Sequence, residues 1–502
     1  MFKLFGRLTA SPSPSAAATV PPNGRYKWLV LSCTTLGALV SVLNSTSMEI
    51  ALPEIVKALH SSVDMVMWVL MGYVLILTVL VPTLGRVADM YGRKKLYVAG
   101  FGVFSLGSLL SGLAQNGPEL LALRLVQAVG AALMLANSIA LVTDAFPRHE
   151  LGRALGINGM AIAVGAVVGP IIGGFLAQLG WRWIFWFNVP LGVFGTIWAH
   201  VQLRELAILP AGQRFDWAGA ATFMLGLLAL LLGLTFGPLG GWLSPPVAGC
   251  FLVGVALLAA FVAIEARVSQ PMLDLNLFRR RLLLSAYVSI LLNGVARGAV
   301  TFLLVFYFIG VRALNEMQAG LMLAPFAAAM MVTSPLSGAL SDRYGSGGLS
   351  FLGLAVSAVG LWGLAHLTPV TPYWQLITWM VIMGAGSGFF NSPNTNAIMG
   401  AVSPERRGVA GGTRTMMNNA GSVISMALGL AVTSSAISPE ALGRLITHTQ
   451  VGSAGISVGA FTQGMNTAFL VSLVMTGLAA LISLTRGAEA PRVAPERSAT
   501  EA

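Results

Sequence analysis

Four ionisable side chains interrupt long apolar runs of this sequence and could carry its chemistry. Glu49 lies in the stretch VSVLNSTSMEIALP, and Arg124, Arg297 and Arg414 lie in three further apolar runs. If these runs cross a membrane, ionisable groups inside them are costly and usually serve the movement of ions, protons or substrates. A carboxyl buried among apolar groups can carry a proton, whereas a buried guanidinium needs an anionic or carbonyl partner. The first question is therefore whether these runs are membrane helices.

The composition is that of an integral membrane protein. Of the 502 residues, 56% are hydrophobic and only 9% are charged, whereas soluble domains carry about 25% charged residues. The apolar runs are near 20 residues long and lack the short alternation of barrel strands, so we predict an all-α membrane protein. Apolar windows predict fourteen transmembrane helices, at 28–52, 64–84, 95–114, 120–143, 154–179, 183–203, 216–235, 247–266, 282–309, 317–340, 349–367, 373–399, 408–436 and 463–485.

The distribution of basic residues predicts the orientation of these helices. With the N-terminus placed in the cytosol, most of the 29 Lys and Arg residues fall in cytosolic tails and loops. This bias is the positive-inside pattern. It predicts a multi-pass membrane protein with disordered tails at 1–27 and 486–502, both in the cytosol. We expect the membrane to be a bacterial cytoplasmic membrane. The net charge of +11 then reflects topology and attraction to anionic lipid rather than nucleic-acid binding.

The two halves of the chain are related by an internal repeat. PTLGRVADMYG matches PLSGALSDRYG, with Pro, Gly, Asp, Tyr and Gly at identical spacings, and VGAALMLANS matches MGAGSGFFNS. Gly152 matches Gly408 at nearly the same offset. Two six-helix halves that enclose a path are a transporter plan, with the binding site between them near the midplane. We predict an N-terminal half at 28–203, two extra transmembrane helices with linkers at 204–281, and a C-terminal half at 282–485.

Motifs of enzymes and cofactor sites are not evident. The sequence contains no HExxH, P-loop or GxSxG pattern and no paired metal-binding cysteines. We therefore expect no enzyme activity, no cofactor and no metal. The missing ATP motif indicates a secondary transporter, or one that depends on a partner for energy.

The motifs resemble those of the major facilitator superfamily, and within it the fourteen-helix drug:proton antiporters. GRVADMYGRKK (85–95) resembles the family signature between helices 2 and 3, RLVQAVG (124–130) its helix 4 motif, and GAVVGPIIGG (165–174) its helix 5 antiporter motif. GWRWIFWFNVPLG, FDWAG and PMLDLNLFRRR resemble segments common in the fourteen-helix group. The resemblance covers nearly the whole chain between the tails. It implies a multidrug-efflux protein of the antibiotic-resistance kind, a monomer in the bilayer that exchanges protons for amphipathic compounds by alternating access.

The first motif and its repeat supply an expected inner gate. In the family, the acid of this motif docks against a helix terminus of the other half and closes the cytosolic side. The residues of this expected gate are Gly85, Asp89, Gly92, Arg93 and Asp342.

The helix 5 motif supplies an expected helix contact. Glycines spaced by four residues share one face and allow another helix to approach closely, and an internal proline bends the helix. The family associates this motif with export. Its residues here are Gly165, Gly169, Pro170, Gly173 and Gly174.

In the first helix the acid typical of the family has moved. The usual pattern is an acid, x-T and then Asn-x-Ala-Leu-Pro; here Asn44 holds the place of the acid and Glu49 that of the asparagine. Glu49 lies about 7–8 Å farther along the helix at a rise of ~1.5 Å per residue. The resemblance ties Arg124 to proton coupling, so Glu49 and Arg124 are the proton-coupling candidates. Either Glu49 inherits the coupling role, or it only lines a wet outer vestibule and coupling itself stays open.

Polar side chains within the predicted helices could line the substrate path. Arg297 lies in helix 9, the repeat partner of helix 1, so a Glu49–Arg297 contact is one hypothesis. A contact of Arg297 with an anionic group of the substrate is the competing one. The substrate-path candidates are Asn44, Asn137, Arg297, Asn391 and Asn394.

Two other function classes stay open. Three embedded arginines against one acid would suit a specific carrier for an anionic or zwitterionic metabolite. A transporter-like protein that acts as a sensor or a lipid-handling factor is the third class.

Overall fold

The chain is helical throughout the part that the structure describes. This computed structural model describes residues 24–61, 63–206, 214–314, 316–435 and 458–486, and these residues form no β-strand. The all-α class is thereby confirmed, whereas almost all of the two predicted tails lies outside the described residues. The helices are α1 (Gly24–Ala58), α2 (Val63–Tyr91), α3 (Arg93–Ser111), α4 (Gly117–Ala145), α5 (Leu151–Leu179), α6 (Arg182–Trp186), α7 (Asn188–Gln202), α8 (Trp217–Gly240), α9 (Pro245–Glu265), α10 (Arg281–Phe306), α11 (Glu316–Met322), α12 (Ala324–Tyr344), α13 (Gly347–Leu364), α14 (Tyr373–Ala401), α15 (Arg407–Ser435) and α16 (Val458–Leu484).

Many of these helices have the length and composition of membrane spans. Ten helical segments of the described residues are long and apolar enough to cross a bilayer. Each predicted window coincides with one helix or with two consecutive helices: the sixth is divided between α6 and α7, and the tenth between α11 and α12. The figure of fourteen crossings stays a prediction.

Two helical bundles pack against each other with matching contacts. We call α1–α7 the N-bundle and α10–α16 the C-bundle, because within each set the helices contact one another extensively. Between the bundles, α2 packs on α15 and α5 packs on α12. The sequence repeat relates these two contacts. We call the contact of α2 with α15 and of α5 with α12 the seam. The pair α8–α9 lies beside the seam, where α8 touches both α2 and α15.

Apolar side chains pack together at the seam between the bundles, as they do inside each bundle. Val142 and Leu155 of the N-bundle pack in one buried cluster with Ile398 and Ala410 of the C-bundle. Helix association in lipid depends on such close van der Waals packing, because the lipid chains are as apolar as the helix surfaces. The cluster therefore holds the bundles together beside the polar contacts described next.

Candidate functional site

The carboxylate of Asp89 joins the end of α2 to the beginning of α15. Its oxygens accept hydrogen bonds from the backbone N–H groups of Gly408 (3.0 Å) and Val409 (3.1 Å). The first turn of a helix leaves its N–H groups without helical partners, and the helix dipole favours a negative charge there. Asp89 therefore docks the N-bundle onto the C-bundle. We call this end of the molecule the basic end, because Arg93 and Arg407 lie here.

Asp342, the repeat equivalent of Asp89, makes the same contact in the opposite direction. It lies in the last turn of α12 and accepts hydrogen bonds from the backbone N–H groups of Gly152 (2.8 Å) and Arg153 (2.9 Å) at the start of α5. Asn396 of α14 also donates to Asp342, at 3.2 Å. The repeat-related residues Asp89 and Asp342 thus form two equivalent docks.

Two glycines allow the docked helices to come this close. A Cβ on Gly85 would lie 2.7 Å from the carbonyl carbon of Gly408, and a Cβ on Gly338 would lie 2.6 Å from that of Gly152. Backbone atoms cannot move aside as the tip of a side chain can. Gly85 therefore has the helix-contact position that its motif predicted, and Gly338 is its counterpart in the C-bundle.

The turn between α2 and α3 requires a glycine for a different reason. Gly92 has a φ of 112°, a conformation that L side chains rarely adopt. The backbone N–H groups of Arg93 and Lys94, at the start of α3, donate to Glu205 (2.7 and 3.2 Å). Burial raises the pKa of Glu205, while these hydrogen bonds lower it; burial is the larger effect. Gly92 therefore sets the turn, and Glu205 holds the beginning of α3.

Asp144, which no motif of the sequence assigned to the site, connects both bundles. This residue at the end of α4 pairs with Arg93 of the N-bundle and with Nη1 of Arg407 of the C-bundle, the latter at 2.9 Å. Arg93 also donates to Asp89 (2.6 Å) and to the carbonyl of Pro404 (2.5 Å). From the sequence, Asp144 is only an acid near a predicted helix end. Its partner Arg407 comes close to it only in the folded structure.

The glycines of the helix 5 motif face α1. The Ser47 hydroxyl donates to the carbonyl of Gly169 (2.9 Å), and a Cβ on Gly173 would lie 2.6 Å from Cα of Ser47. Gly165 lies against Val42, where an added Cβ would be 3.1 Å from the valine side chain. The glycines of the motif thus allow α5 to pack closely against the segment of α1 that leads to Glu49.

The remaining residues of this motif lie on other sides of α5. Pro170 touches α11 of the C-bundle, since a Cβ on Gly320 would lie 2.8 Å from it, and Gly174 is half-buried. The helix 5 motif therefore contacts both α1 and the opposite bundle.

Arg124 lies in a buried polar network within the N-bundle. Oδ1 of Asn44 accepts hydrogen bonds from Nη1 of Arg124 (2.8 Å), Nε2 of Gln127 (3.1 Å) and Nδ2 of Asn188 (3.3 Å). The guanidinium lies 4.3 Å from the ring centroid of Tyr73. In the described part of the chain, no carboxylate reaches Arg124. The neutral amide of Asn44 thus binds the buried guanidinium of Arg124, and Asn44 stands at the position where the family usually has an acid.

Glu49 lies apart from this network. Its side chain is exposed although protein surrounds it at longer range, so it faces an internal recess rather than the outer surface. Within the described residues, it forms no hydrogen bond and no ion pair and has no charged neighbour. The expected Glu49–Arg297 contact is therefore not formed in this conformation, because no arginine of the described residues comes close to the carboxylate.

Of the asparagines predicted to line a path, three are buried inside the bundles. Asn44 belongs to the Arg124 network, Asn137 donates to the carbonyl of Leu133 (2.7 Å), and Asn394 donates to that of Ala286 (3.2 Å). Asn391 is half-buried and accepts a hydrogen bond from Nη2 of Arg414 (3.3 Å). In this conformation only Asn391 among them lies at an accessible position.

Arg297 and Arg414 lie on neighbouring helices of the C-bundle. Arg297 is on α10 and Arg414 is on α15, which pack against each other, and both side chains are half-buried. A separate small cavity between α10, α15 and α16 is lined by apolar, Gly and Ser residues. Among the charged groups embedded in the described helices, Glu49 is thus exposed and Arg297 and Arg414 are half-buried.

Comparisons with known proteins agree with this arrangement. The profile of the Major Facilitator Superfamily matches residues 34–426 and, in an overlapping second match, 286–501. The riboflavin transporter RibZ of Clostridioides difficile is 30% identical over 82% of this chain and 88% of its own length. The tetracenomycin C resistance and export protein of Streptomyces glaucescens is 29% identical over 96% of both chains.

A solved structure shares the fold. The human organic anion transporter MFSD10 superposes with a TM-score of 0.62, over 90% of this chain and 99% of its own. At 15% identity this likeness concerns the fold alone. With the paired docks, the repeat-related helix contacts and a family match across most of its length, this chain belongs to the Major Facilitator Superfamily.

Proposed function

We propose that this protein is a secondary active exporter of amphipathic compounds, working by alternating access between the two bundles. The observation that carries the proposal is the pair of equivalent docks at the basic end, Asp89 on α15 and Asp342 on α5. Rocking of the bundles about a central site would have to break both docks and re-form them in each cycle. The tetracenomycin C relative, whose name states resistance and export, supports export of toxic compounds as the task.

The basic end is the cytosolic gate in this proposal. Positive residues favour the cytosolic side of a membrane protein, and the docks and the Asp144 bridge lie among them. In this orientation, the predicted fourteen crossings would leave both termini in the cytosol. The conformation described here is then the one closed toward the cytosol.

Glu49 is the proton carrier in this proposal. It is an exposed acid within the apolar part of α1, and α5 holds its helix segment through Ser47 and Gly169. Arg124 has a positioning role, because it is buried and binds Asn44 rather than facing the recess. Proton uptake at Glu49 from the outside would remove a charge from the recess, and its release to the cytosol would restore that charge.

Purified protein in liposomes with an entrapped pH dye tests this function. With a pH gradient imposed across the liposomes, addition of rhodamine 123 or fluorescein should accelerate the collapse of the gradient. Glu49→Gln should reduce the accelerated rate at least tenfold and leave dye binding intact. Glu54→Gln, which changes an exposed acid of the same helix, is the matched control. Dye movement that ignores the pH gradient, in wild type and variant alike, would refute the coupled exporter.

A specific carrier for an anionic or zwitterionic metabolite is the second candidate. The half-buried Arg297 and Arg414, on the packed helices α10 and α15, favour it. The relative RibZ is named as a transporter of a single metabolite. The direction of transport separates the two candidates. Intact cells that express the protein should lose preloaded dye faster if it is an exporter, and should accumulate labelled organic anions if it is an uptake carrier.

A further inference from the structure

Two acids meet where α8 begins and α9 ends. Asp216 caps α8, since its Oδ1 accepts a hydrogen bond from the backbone N–H of Gly219 (2.8 Å). Glu265, the last residue of α9, is only 4% exposed, and its Oε1 accepts from the backbone N–H groups of Met272 (3.1 Å) and Leu273 (3.3 Å). A Cβ on Gly219 would lie 2.9 Å from Cγ of Asp216 and 3.0 Å from Oε1 of Glu265. The two carboxyl groups therefore lie side by side at this glycine, and we call them the acid pair.

Each member of the acid pair has one oxygen without a hydrogen-bond donor. Among the described residues, Oδ2 of Asp216 and Oε2 of Glu265 are both buried and unpartnered. A buried carboxylate oxygen without a donor is costly, and two negative charges side by side are costlier still. The dipole of α9 adds to this cost, because its negative end lies at Glu265. One bound proton would leave a single charge on the pair and would supply the missing donor.

The charged groups around the acid pair do not neutralise it. Arg86 of α2 is the basic residue whose charge acts most strongly on Glu265, and the same arginine also acts on Asp89. Asp274, farther along the chain, pairs with Arg406. The side chains of α15 that pack beside this site are apolar. A single arginine that is shared with a third acid leaves the acid pair with an excess of negative charge, which favours proton binding.

The loop after α9 connects the acid pair to the basic end. Glu265 holds this loop through the backbone of Met272 and Leu273, as described above. The Met272 sulfur accepts a hydrogen bond from the Thr83 hydroxyl of α2 (3.5 Å), and both loop side chains belong to a buried cluster that includes residues of α15. The next residue, Asp274, pairs with Arg406 just before α15 begins. The acid pair thus fastens a loop that touches α2 and α15, the two helices joined by the Asp89 dock.

We propose that Asp216 and Glu265 bind one proton between them from the cytosol, and that this proton keeps the loop after α9 fastened against the closed cytosolic gate. The identity of the gate rests on the proposed function, whereas proton binding by the acid pair does not. Loss of the proton would leave two negative charges side by side, which would separate α8 from the end of α9 and loosen the loop. In an exporter that admits protons, an acidified cytosol would then hold the gate shut and slow further proton entry.

Infrared spectroscopy tests the bound proton directly. Purified full-length protein in detergent is compared at pH 6 and pH 8, and the difference spectrum shows the C=O stretch of carboxyl groups that are protonated only at the lower pH. We expect Glu265→Gln to weaken this band, and Asp216→Asn to weaken it too because the remaining acid then ionises without a charged neighbour. Asparagine is itself a good helix cap, so α8 should keep its start. Glu405→Gln, which changes an exposed acid at the same end of the molecule, should leave the band unchanged.

Distances across the gate report what the proton does. Spin labels replace Arg148 and Ser403, which are exposed on opposite bundles at the basic end. With no other change, we expect the population at longer distance to grow at least twofold from pH 6 to pH 8. Glu265→Gln is neutral at both pH values and should keep the shorter distance at both. Glu405→Gln should respond to pH as the labelled protein without it does.

Several results would overturn the proposal. These are a carboxyl band that neither variant weakens, distances that do not respond to pH, or an undiminished response in Glu265→Gln. Distances that respond to Na⁺ at constant pH, without a carboxyl band, would assign the acid pair to a metal cation and would also overturn it. Thermal unfolding shows whether each variant is folded, and Asp216→Asn decides if Glu265→Gln aggregates. Neither measurement uses a substrate or a gradient, so a failure of proton-coupled export in liposomes would refute the proposed function and leave proton binding by the acid pair intact.

Discussion

Asp144 and Arg407 form an ion pair of 2.9 Å that joins the two bundles. The same carboxylate pairs with Arg93, which in turn holds the dock acid Asp89. The equivalent docks at Asp89 and Asp342 follow the sequence repeat. The Asp144 bridge adds a further connection, in which one acid of the N-bundle holds a basic residue from each bundle.

Removal of the Asp144 charge should open the basic end. Asp144→Asn leaves two largely buried arginines without their shared acid, and loss of one partner of a buried pair costs about 3–5 kcal/mol. We expect spin labels at positions 148 and 403, on opposite bundles, to shift toward longer distances. Glu405→Gln, which changes an exposed acid nearby, is the control and should leave the distribution unchanged. An unaltered distribution in Asp144→Asn would show that the docks alone hold the gate.

Gly338→Ala should force α12 away from α5. The new methyl would overlap the carbonyl of Gly152, and overpacking of this kind costs about 1–3 kcal/mol. We expect a lower melting temperature in detergent and a wider separation of the same spin labels. Gly400→Ala, where an added Cβ meets nothing within 4 Å, should be neutral or slightly stabilising, since Ala is a better helix former than Gly. Equal effects of the two substitutions would contradict the close contact.

Gly173→Ala should disturb the contact between α5 and α1. Its methyl would meet the backbone of Ser47, with Cα at 2.6 Å. Because this contact positions the α1 segment that leads to Glu49, we expect at least a tenfold loss of dye transport. Gly102→Ala changes a helical glycine with nothing within 4 Å of its added Cβ and should retain full transport. If Gly173→Ala keeps full transport, the close contact made by the helix 5 motif is not needed for transport.

Asn44→Asp should stabilise the protein. Within the part of the chain that the structure describes, Nδ2 of Asn44 is buried without a hydrogen-bond partner, whereas its Oδ1 accepts from Arg124 and Gln127. A carboxylate would lose no hydrogen bond and would gain a charge-assisted one, of the class worth about 1.5–3 kcal/mol. We expect the melting temperature to rise by a few degrees.

The same substitution at another buried asparagine is the control for Asn44→Asp. Asn137→Asp places an acid at a site whose amide donates to the Leu133 carbonyl, and it should lower the melting temperature. If the melting temperature of Asn44→Asp falls as well, the network around Arg124 does not tolerate the added negative charge.

The sequence by itself determined the class, the repeat and the family. Apolar runs of membrane length and the biased basic residues predict helices in a bilayer, because lipid offers the backbone no hydrogen bonds. The repeated PxxGxxxDxYG pattern pairs Asp89 with Asp342 through its spacing alone. A glycine face on helix 5 likewise predicts a close helix contact, since spacing by four is a local property of a helix.

The tertiary structure alone decided which partner each of these residues meets. Asp144 and Arg407 are distant in sequence, and nothing in their local patterns predicts an ion pair. Asn44 was expected on the substrate path but turns into the N-bundle, because Arg124 needs an acceptor there. Arg297 was expected to meet either Glu49 or the substrate; among the described residues it makes no contact with Glu49, and the substrate contact stays a prediction. Charges in a membrane helix are recognisable from sequence, but their partners depend on how the helices pack.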